Sequence, residues 1–222
     1  MTPSLDLAMS GAPLARAKAV SVVLHGRGAT ADSMLAFAEV LAQPDFAYIA
    51  PQAPGGSWYP YSFLTPIEHN EPHLSRSLAT VGNLLGTLSA LGFSSDRLVL
   101  LGFSQGGCLA LEYAARNARR YGGVIGLSAG LIGPEGTPRD YIGSLDGTRV
   151  FLGCSDIDAH IALSRVQETS RTLRALGGDV VERIYPGMGH IINDDEIRHV
   201  RGILADLFHP TSTTPAERTI AS

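Results

Sequence analysis

The chain has 222 residues, of which 45% are hydrophobic and 17% are charged, and its formal net charge is -4. A chain with this length and apolar content can bury a sizeable core, which excludes a disordered protein. The mildly acidic balance gives no electrostatic reason to expect a nucleic-acid partner. No apolar run reaches the roughly 18 residues of a membrane span, and the N-terminus lacks the pattern of a signal peptide. We therefore expect a soluble cytoplasmic protein without membrane insertion.

Short apolar runs alternate with longer helical patterns, which is typical of a mostly parallel sheet with helices on both faces. The predicted strands are Val20–Leu24, Phe46–Ile49, Leu98–Leu101, Gly123–Leu127, Arg149–Leu152 and Val180–Tyr185. The predicted helices are Ala31–Gln43, Leu74–Leu91, Ser104–Arg119, Ile161–Leu176 and Asp194–Phe208. This pattern predicts a single α/β domain over residues 1–209. Residues 210–222 lack apolar periodicity, so we expect a flexible tail there.

A glycine-flanked serine follows the third predicted strand. Residues 102–106 read Gly-Phe-Ser-Gln-Gly, and a predicted helix comes directly afterwards. This strand–turn–helix context is typical of the nucleophile turn of the α/β-hydrolase fold, where side chains two residues to either side of the serine would collide. A serine that merely caps the helix is the alternative, but the context favours a nucleophile. We therefore predict that Ser104 is the nucleophile of an α/β-hydrolase fold without a large cap domain.

A serine nucleophile needs a histidine base and a carboxylate that orients it, and in this fold they follow the serine in the order acid, then histidine. His190 comes directly after the last predicted strand and is the predicted base. Asp156 and Asp158 both follow the preceding strand, and the residues alone do not separate them. Asp156 is nearer the strand end, whereas Asp158 equally suits a helix cap. No further ligand loop accompanies this Asp-x-Asp-x-His run, so we expect no metal.

The turn after the first predicted strand is a candidate half of an oxyanion hole. Residues 24–28 read Leu-His-Gly-Arg-Gly, and the fold uses one backbone N–H from this loop and one from the residue after the nucleophile. These are the amides of Arg27 and Gln105. His25 would then support the loop, and the partner of the Arg27 side chain stays open. Trp58, in the connection over residues 51–72, is predicted to wall the substrate pocket, with plain packing as the alternative.

Four motifs occur in a fixed order along the chain: Leu24–Gly28, Gly102–Gly107, Gly153–Asp156 and Gly187–His190. Together they resemble the phospholipase/carboxylesterase family of α/β hydrolases, which includes the acyl-protein thioesterases, from about Val20 to Phe208. The resemblance implies that the acid is Asp156, three residues after Gly153. It also implies a cofactor-free enzyme acting on a small-molecule ester, and many members of the family are homodimers.

The chain departs from the family between Asp156 and His160. The family often has Asp-Pro and then Val-Pro there, whereas this chain reads Asp-Ile-Asp-Ala-His. With Trp58-Tyr59-Pro60, this variation looks more like a bacterial carboxylesterase subgroup than a protein-depalmitoylating one.

The residues and the resemblance together predict a serine carboxylesterase that hydrolyses short- to medium-chain esters. Ser104 would form the acyl-enzyme, with Asp156 and His190 completing the triad. An acyl thioesterase or a lysophospholipase with the same triad is the first alternative. A non-catalytic ligand-binding protein with this fold is the second, and it has no need of all three residues.

Overall fold

The computed structural model describes residues 6–208, and the predicted tail over residues 210–222 lies outside them. The described strands are β1 (Leu7–Gly11), β2 (Ala19–Leu24), β3 (Phe46–Pro51), β4 (Leu98–Phe103), β5 (Gly123–Leu127), β6 (Arg149–Ser155) and β7 (Asp179–Tyr185). The described α-helices are α1 (Ala31–Leu41), α2 (His73–Ala90), α3 (Gln105–Arg116), α4 (Leu163–Ala175) and α5 (Asp194–Asp206). Short 3₁₀ turns occupy Pro54–Gly56, Ile67–Asn70 and Ser95–Arg97.

The strands form one sheet in the order β1-β3-β2-β4-β5-β6-β7. Strands β2 to β7 are parallel, and β1 runs antiparallel beside β3. The mostly parallel sheet predicted from the sequence is therefore confirmed. Because parallel strands end at the same edge of a sheet, the loops after β2, β4, β6 and β7 emerge side by side there.

Alternate side chains of the inner strands enter two apolar layers, one on each face of the sheet. Val20 and Val22 of β2 pack into the layer shared with α2, α3 and α4. Val23 packs into the layer shared with α1 and α5. The inner strands are buried on both faces, which is why their sequences read as nearly continuous apolar runs.

The structure differs from the predicted elements at the sheet edge and at several element ends, of which the end of β6 has the largest consequence for the site. Strand β1 was not predicted, because residues 7–11 read Leu-Ala-Met-Ser-Gly and contain no β-branched run. It lies at the edge of the sheet, where exposed positions alternate with half-buried ones. Strand β6 extends to Ser155, beyond its predicted end at Leu152. This extension changes which residues form the loop that follows.

Glu196 is completely buried in the first turn of α5. Asn193 caps this helix, and the Glu196 Oε2 atom accepts a hydrogen bond from the Asn193 backbone N–H at 2.8 Å. The other oxygen, Oε1, faces Gly153 so closely that no Cβ would fit between them, and it has no hydrogen-bond partner among the described residues. Burial raises the pKa of Glu196 to about 7, against the effect of the Asn193 hydrogen bond.

We expect Glu196→Gln to remove one pH-dependent contribution to stability. Because the pKa is raised from 4.5 to about 7 in the folded state, the folded protein binds more protons than the unfolded chain in that window. The free energy of unfolding therefore falls as pH rises through it. A shift of this size corresponds to at most about 3 kcal/mol.

Urea unfolding of the wild type and the Gln variant at pH 5 and pH 8 measures this difference. Glu39→Gln, at an exposed position of α1, is the matched control and should keep the wild-type pH dependence. An identical pH dependence in the wild type and Glu196→Gln would contradict the assignment.

Candidate active site

Ser104 lies at the sharp turn between β4 and α3, with φ of 53° and ψ of -122°. A positive φ is rare for a residue other than glycine, and it costs on the order of 1–3 kcal/mol. The Ser104 side chain makes no capping hydrogen bond to α3. Its Oγ instead lies 2.9 Å from His190 Nε2. The alternative of a serine that merely caps the helix is therefore not what the structure contains.

Glycines at positions 102 and 106 allow an unusually close backbone approach around Ser104. A Cβ on Gly102 would overlap the backbone of Gly106. A Cβ on Gly106 would overlap the carbonyl groups of Leu24 and His25 at the end of β2. The predicted collisions are thereby confirmed, and the end of β2 lies directly against the start of α3.

His190 follows β7 and lies with its two ring nitrogens between a hydroxyl and a carboxylate. Nε2 faces Ser104 Oγ at 2.9 Å, and Nδ1 faces Asp158 Oδ2 at 2.7 Å. The imidazole contacts the Phe103 ring and the His160 ring, each with a centroid separation of 4.8 Å. The ring orientation is thus fixed by two hydrogen bonds and two ring contacts.

The carboxylate beside His190 belongs to Asp158, which corrects the expectation that Asp156 orients this histidine. Asp156 is exposed at the end of β6. Its Oδ1 accepts a hydrogen bond from the Gly187 backbone N–H at 2.8 Å, in the turn after β7. Because β6 continues to Ser155, Asp156 is still beside the neighbouring strand, and the loop turns toward His190 only after it.

Asp158 combines the two roles that the sequence left as alternatives. Its Oδ1 accepts hydrogen bonds from the backbone N–H groups of His160, at 2.8 Å, and Ile161, at 3.1 Å. These bonds form a capped turn, and α4 begins only at Leu163 rather than at the predicted Ile161. The other oxygen, Oδ2, remains for His190.

The Asp158 side chain has no exposed surface. Burial opposes its ionisation, but the hydrogen bond from His190 and the two amide hydrogen bonds outweigh that cost and lower the pKa of Asp158. An ionised Asp158 accepts a hydrogen bond from the Nδ1–H group, which keeps the proton on Nδ1 and leaves the Nε2 lone pair for the Ser104 hydroxyl.

Gln105 directly follows Ser104 in the chain, and the loop that carries Arg27 packs against the Ser104 side chain. Gln105 is the first residue of α3, and Arg27 lies in the turn after β2. A Cβ on Gly26, the residue before Arg27, would be 3.3 Å from the Ser104 Cβ. Within residues 6–208, neither amide donates a hydrogen bond to a protein acceptor. The arrangement suits a pair of donors for a substrate oxygen.

His25 supports the loop that carries Arg27 and is completely buried. Its Nδ1 lies 2.8 Å from the Gly26 carbonyl oxygen, and its Nε2 accepts the Ala53 backbone N–H at 3.1 Å. Burial lowers the pKa of His25, against the effect of the Gly26 hydrogen bond. A neutral ring with its proton on Nδ1 satisfies both partners.

Trp58 is only 2% exposed, which corrects the expectation that it walls the substrate pocket. Its indole Nε1 donates to the His25 carbonyl oxygen at 2.8 Å, and its ring packs against the His25 ring at 5.0 Å. Plain packing, the alternative interpretation, describes it. In the same connection Tyr61 is 57% exposed, so the accessible aromatic ring there is Tyr61.

Within residues 6–208, no group of three or more His, Cys, Asp or Glu side chains is arranged to hold a metal ion. No helix in this part of the chain is both long enough and apolar enough to cross a membrane.

Residues 10–207 match the family described as Phospholipase/Carboxylesterase. The chain belongs to this family. Its sheet topology and its solved relatives identify the fold as the α/β-hydrolase fold, and the resemblance inferred from the sequence is confirmed.

Solved structures similar to this phospholipase/carboxylesterase family member include bacterial enzymes. A phospholipase/carboxylesterase from Dyadobacter fermentans is 42% identical, with a TM-score of 0.88 over 91% of this chain and 97% of that chain. The carboxylesterase of Bacillus cereus is 16% identical, with a TM-score of 0.75 over 93% of this chain and 96% of that one. At that identity the second likeness indicates the fold alone.

Curated relatives of this family member include fungal acyl-protein thioesterases. Acyl-protein thioesterase 1 of Gibberella zeae is 32% identical over 122 residues, which is 54% of this chain and 52% of the relative. The alignment thus spans about half of that protein. Acyl-protein thioesterase 1 of Debaryomyces hansenii is 22% identical over 93% of this chain and 97% of the relative.

We expect Trp58→Phe to lower stability without a specific effect on substrate binding. The change removes the indole donor and leaves the buried His25 carbonyl oxygen without this partner, which costs roughly 1–3 kcal/mol. Urea denaturation measures the free energy of unfolding, and Tyr61→Ala in the same connection should change it by less than about 0.5 kcal/mol. A stable Trp58→Phe protein with a strongly altered KM would instead restore the substrate-contact interpretation.

Proposed function

We propose that the protein is a serine carboxylesterase that hydrolyses short- to medium-chain carboxylic esters through an acyl-enzyme on Ser104. The observation that supports this most strongly is the continuous hydrogen-bonded series from Ser104 Oγ through His190 to Asp158. A positioned hydroxyl, a base and an orienting carboxylate are the groups that nucleophilic acyl transfer needs.

In the first half of the reaction, His190 Nε2 takes the proton of the Ser104 hydroxyl as Oγ attacks the ester carbonyl carbon. The carbonyl oxygen becomes an oxyanion, which accepts hydrogen bonds from the Arg27 and Gln105 amides. The positive end of α3, which begins at Gln105, stabilises the same charge. The C–O bond to the alcohol then breaks, and the imidazolium of His190 gives its proton to the departing alcohol.

In the second half, water attacks the acyl carbon of the acyl-enzyme while His190 accepts the proton of that water. The same two amides hold the second oxyanion. When this intermediate collapses, the acid leaves and the proton on Nε2 returns to Ser104 Oγ. Asp158 keeps the ring in its working tautomer throughout and stabilises the imidazolium without itself taking the proton.

Exposed apolar side chains beside the triad support a small acyl or alcohol group. Ile157 precedes Asp158 and is 65% exposed, while Ile191 follows His190 and is 57% exposed. These two side chains offer apolar contact at the protein surface rather than in a deep channel, and a shallow apolar surface suits short acyl chains. The bacterial phospholipase/carboxylesterase at 42% identity supports ester hydrolysis as the type of reaction.

Thioester hydrolysis is the second candidate function, and the fungal acyl-protein thioesterases among the relatives favour it. The same triad would act on a thioester, since only the leaving group differs. A lysophospholipase with this triad would act on a long-chain ester.

A substrate series tests the proposal. Hydrolysis of p-nitrophenyl esters with acyl chains from acetyl to palmitoyl, acyl-coenzyme A thioesters and lysophosphatidylcholine is measured for wild type and Ser104→Ala. We expect kcat/KM to be highest on the short and medium esters, and the Ala variant to lose at least about 10³-fold. Equal rates of hydrolysis by wild type and Ser104→Ala on every substrate would refute the proposal that the protein is a serine esterase. Activity confined to long acyl thioesters would favour the second candidate.

The two aspartates give a matched pair of variants. We expect Asp158→Asn to lower kcat by roughly 10³–10⁴-fold, because an amide cannot hold the imidazole in the required tautomer. Asp156→Asn should lower it less than about tenfold, since its amide oxygen still accepts the Gly187 N–H. Circular dichroism and thermal melting of both variants exclude misfolding as the cause. A large loss in Asp156→Asn with near-normal Asp158→Asn would contradict the assignment.

A further inference from the structure

We propose that the side chains of Arg27 and Gln105 form a clamp on the segment Ser57–Tyr61, and that this clamp fixes the spacing of the two oxyanion amides. The inference rests on the proposed function, in which the backbone N–H groups of the same two residues hold the oxyanion. The juxtaposition is specific, because Gln105 follows Ser104, the loop of Arg27 packs against Ser104, and both side chains bind one shared segment.

The Arg27 guanidinium is saturated by this segment. Nη1 donates to Ser57 Oγ at 3.0 Å and to the Pro60 carbonyl oxygen at 2.8 Å. Nη2 donates to the carbonyl oxygens of Tyr59, at 2.9 Å, and Tyr61, at 2.6 Å. A guanidinium has five N–H donors, so these four bonds leave only the Nε hydrogen. Arg27 therefore lacks the free pair of donors that bidentate recognition of an anionic substrate group needs.

The Gln105 side chain binds the same segment. Its Oε1 accepts the Trp58 backbone N–H at 3.0 Å, and its Nε2 donates to the Tyr59 carbonyl oxygen at 2.8 Å. The Tyr59 carbonyl oxygen thus accepts from both side chains of the clamp. Gln105 is only 6% exposed, so these bonds are shielded from water.

Other contacts hold the segment and the loop after β2 together. Trp58 Nε1 donates to the His25 carbonyl oxygen at 2.8 Å. The Gly28 backbone N–H donates to the Gly56 carbonyl oxygen at 2.8 Å. The segment is also anchored to α2 by the Ser77 hydroxyl, which donates to the Trp58 carbonyl oxygen at 2.6 Å. The clamp therefore acts on a segment that is itself fixed.

The clamp affects the position of the Arg27 backbone amide relative to that of Gln105. Amide donors stabilise an oxyanion only when both reach the place where its charge develops, and a displacement of about 1 Å can cost on the order of 10²-fold in rate. Gln105 is held by α3, whereas Arg27 lies in a turn between β2 and α1. The Arg27 side chain ties that turn to a segment that Gln105 also holds. Arg27 is thus a positioning residue, and its side chain does not contact substrate.

The experiment compares two variants of Arg27. Arg27→Met removes the four guanidinium hydrogen bonds, whereas Arg27→Lys keeps the positive charge but lacks the planar array of N–H donors. Arg174→Met is the matched control, because Arg174 Nη2 also holds a backbone carbonyl, that of Val180, but between α4 and β7. The measurements are kcat per titrated active site, KM on a short ester, the Ki of an alkyl boronic acid and the Tm. The boronic acid forms a tetrahedral adduct on Ser104 and so probes the oxyanion donors.

We expect Arg27→Met to lower kcat per active site about 10- to 100-fold and to raise the boronic acid Ki by a similar factor, with KM within about threefold. Arg27→Lys should be intermediate, and Arg174→Met should stay within about twofold in kcat. Wild-type kcat per active site and Ki in Arg27→Met would overturn the proposal. So would a loss found only on anionic esters, since that identifies a substrate contact.

Combining Arg27→Met with Gln105→Met tests whether the two side chains form one clamp. The double variant should lose little more activity than the more impaired single variant, because either change breaks the same link between the Arg27 turn and α3 through the segment. If the fold-losses in kcat of the two single variants multiply in the double variant, the two side chains act independently, and the proposal of a shared clamp is overturned. Ser57→Ala, which removes an acceptor of Arg27, supplies a milder variant if the Met variants fold poorly.

Ser104→Ala separates this proposal from the proposed function. If Ser104→Ala hydrolyses esters as fast as wild type, the esterase itself is refuted. If Ser104→Ala is inactive and Arg27→Met is as active as wild type, the esterase stands and only the clamp is refuted.

Discussion

The contact of Gly106 with the carbonyl groups at the end of β2 is the constraint on which the rest of the site depends. It brings the turn before α3 against the loop that carries Arg27, and only glycine at 106 leaves room for it. The same turn forces Ser104 into its positive φ. That strain persists because the surroundings do not yield: β4 is an inner strand of the sheet, and α3 is buried from Gln105 to Ala115. Packing of the central elements thus supports the backbone geometry of Ser104.

The parts of the site that sequence predicts well are those fixed by the sheet. Ser104 follows a strand whose apolar run is easy to recognise, His190 follows the last predicted strand, and parallel pairing brings the two strand ends to one edge. The carboxylate beside His190 is harder to predict from the sequence, because a strand end shifted by three residues changes which carboxylate faces the histidine. The residues alone left Asp156 and Asp158 open, and the family resemblance, in which the acid stands three residues after Gly153, implied Asp156. The local signal for Asp158 was its capping position, since a carboxylate that holds the next turn is also held by it.

The connection after β3 could not be predicted in the same way, because it has no apolar periodicity and only two short 3₁₀ turns. Its conformation is set by hydrogen bonds to residues distant in the chain, among them His25, Gln105 and Ser77. An aromatic or cationic residue near an active site suggests contact with substrate when only its type is known. Here the indole N–H of Trp58 and the guanidinium of Arg27 instead satisfy backbone carbonyl groups. Unpaired carbonyl groups in such a loop would be costly, so these donors stabilise its fold.

Burial acts on His25 and Asp158 with opposite consequences for charge. For His25, the cost of burying a cation dominates and lowers the pKa, so the ring stays neutral and accepts the Ala53 N–H. A protonated ring would place a donor against that N–H and weaken the support of the Arg27 loop. For Asp158, burial also disfavours the charge, but donors from His190, His160 and Ile161 reverse the balance. The site therefore holds a neutral imidazole beside the loop that carries Arg27 and an anion beside His190. Hydrogen-bond donors, rather than the extent of burial, decide which of the two buried groups is charged.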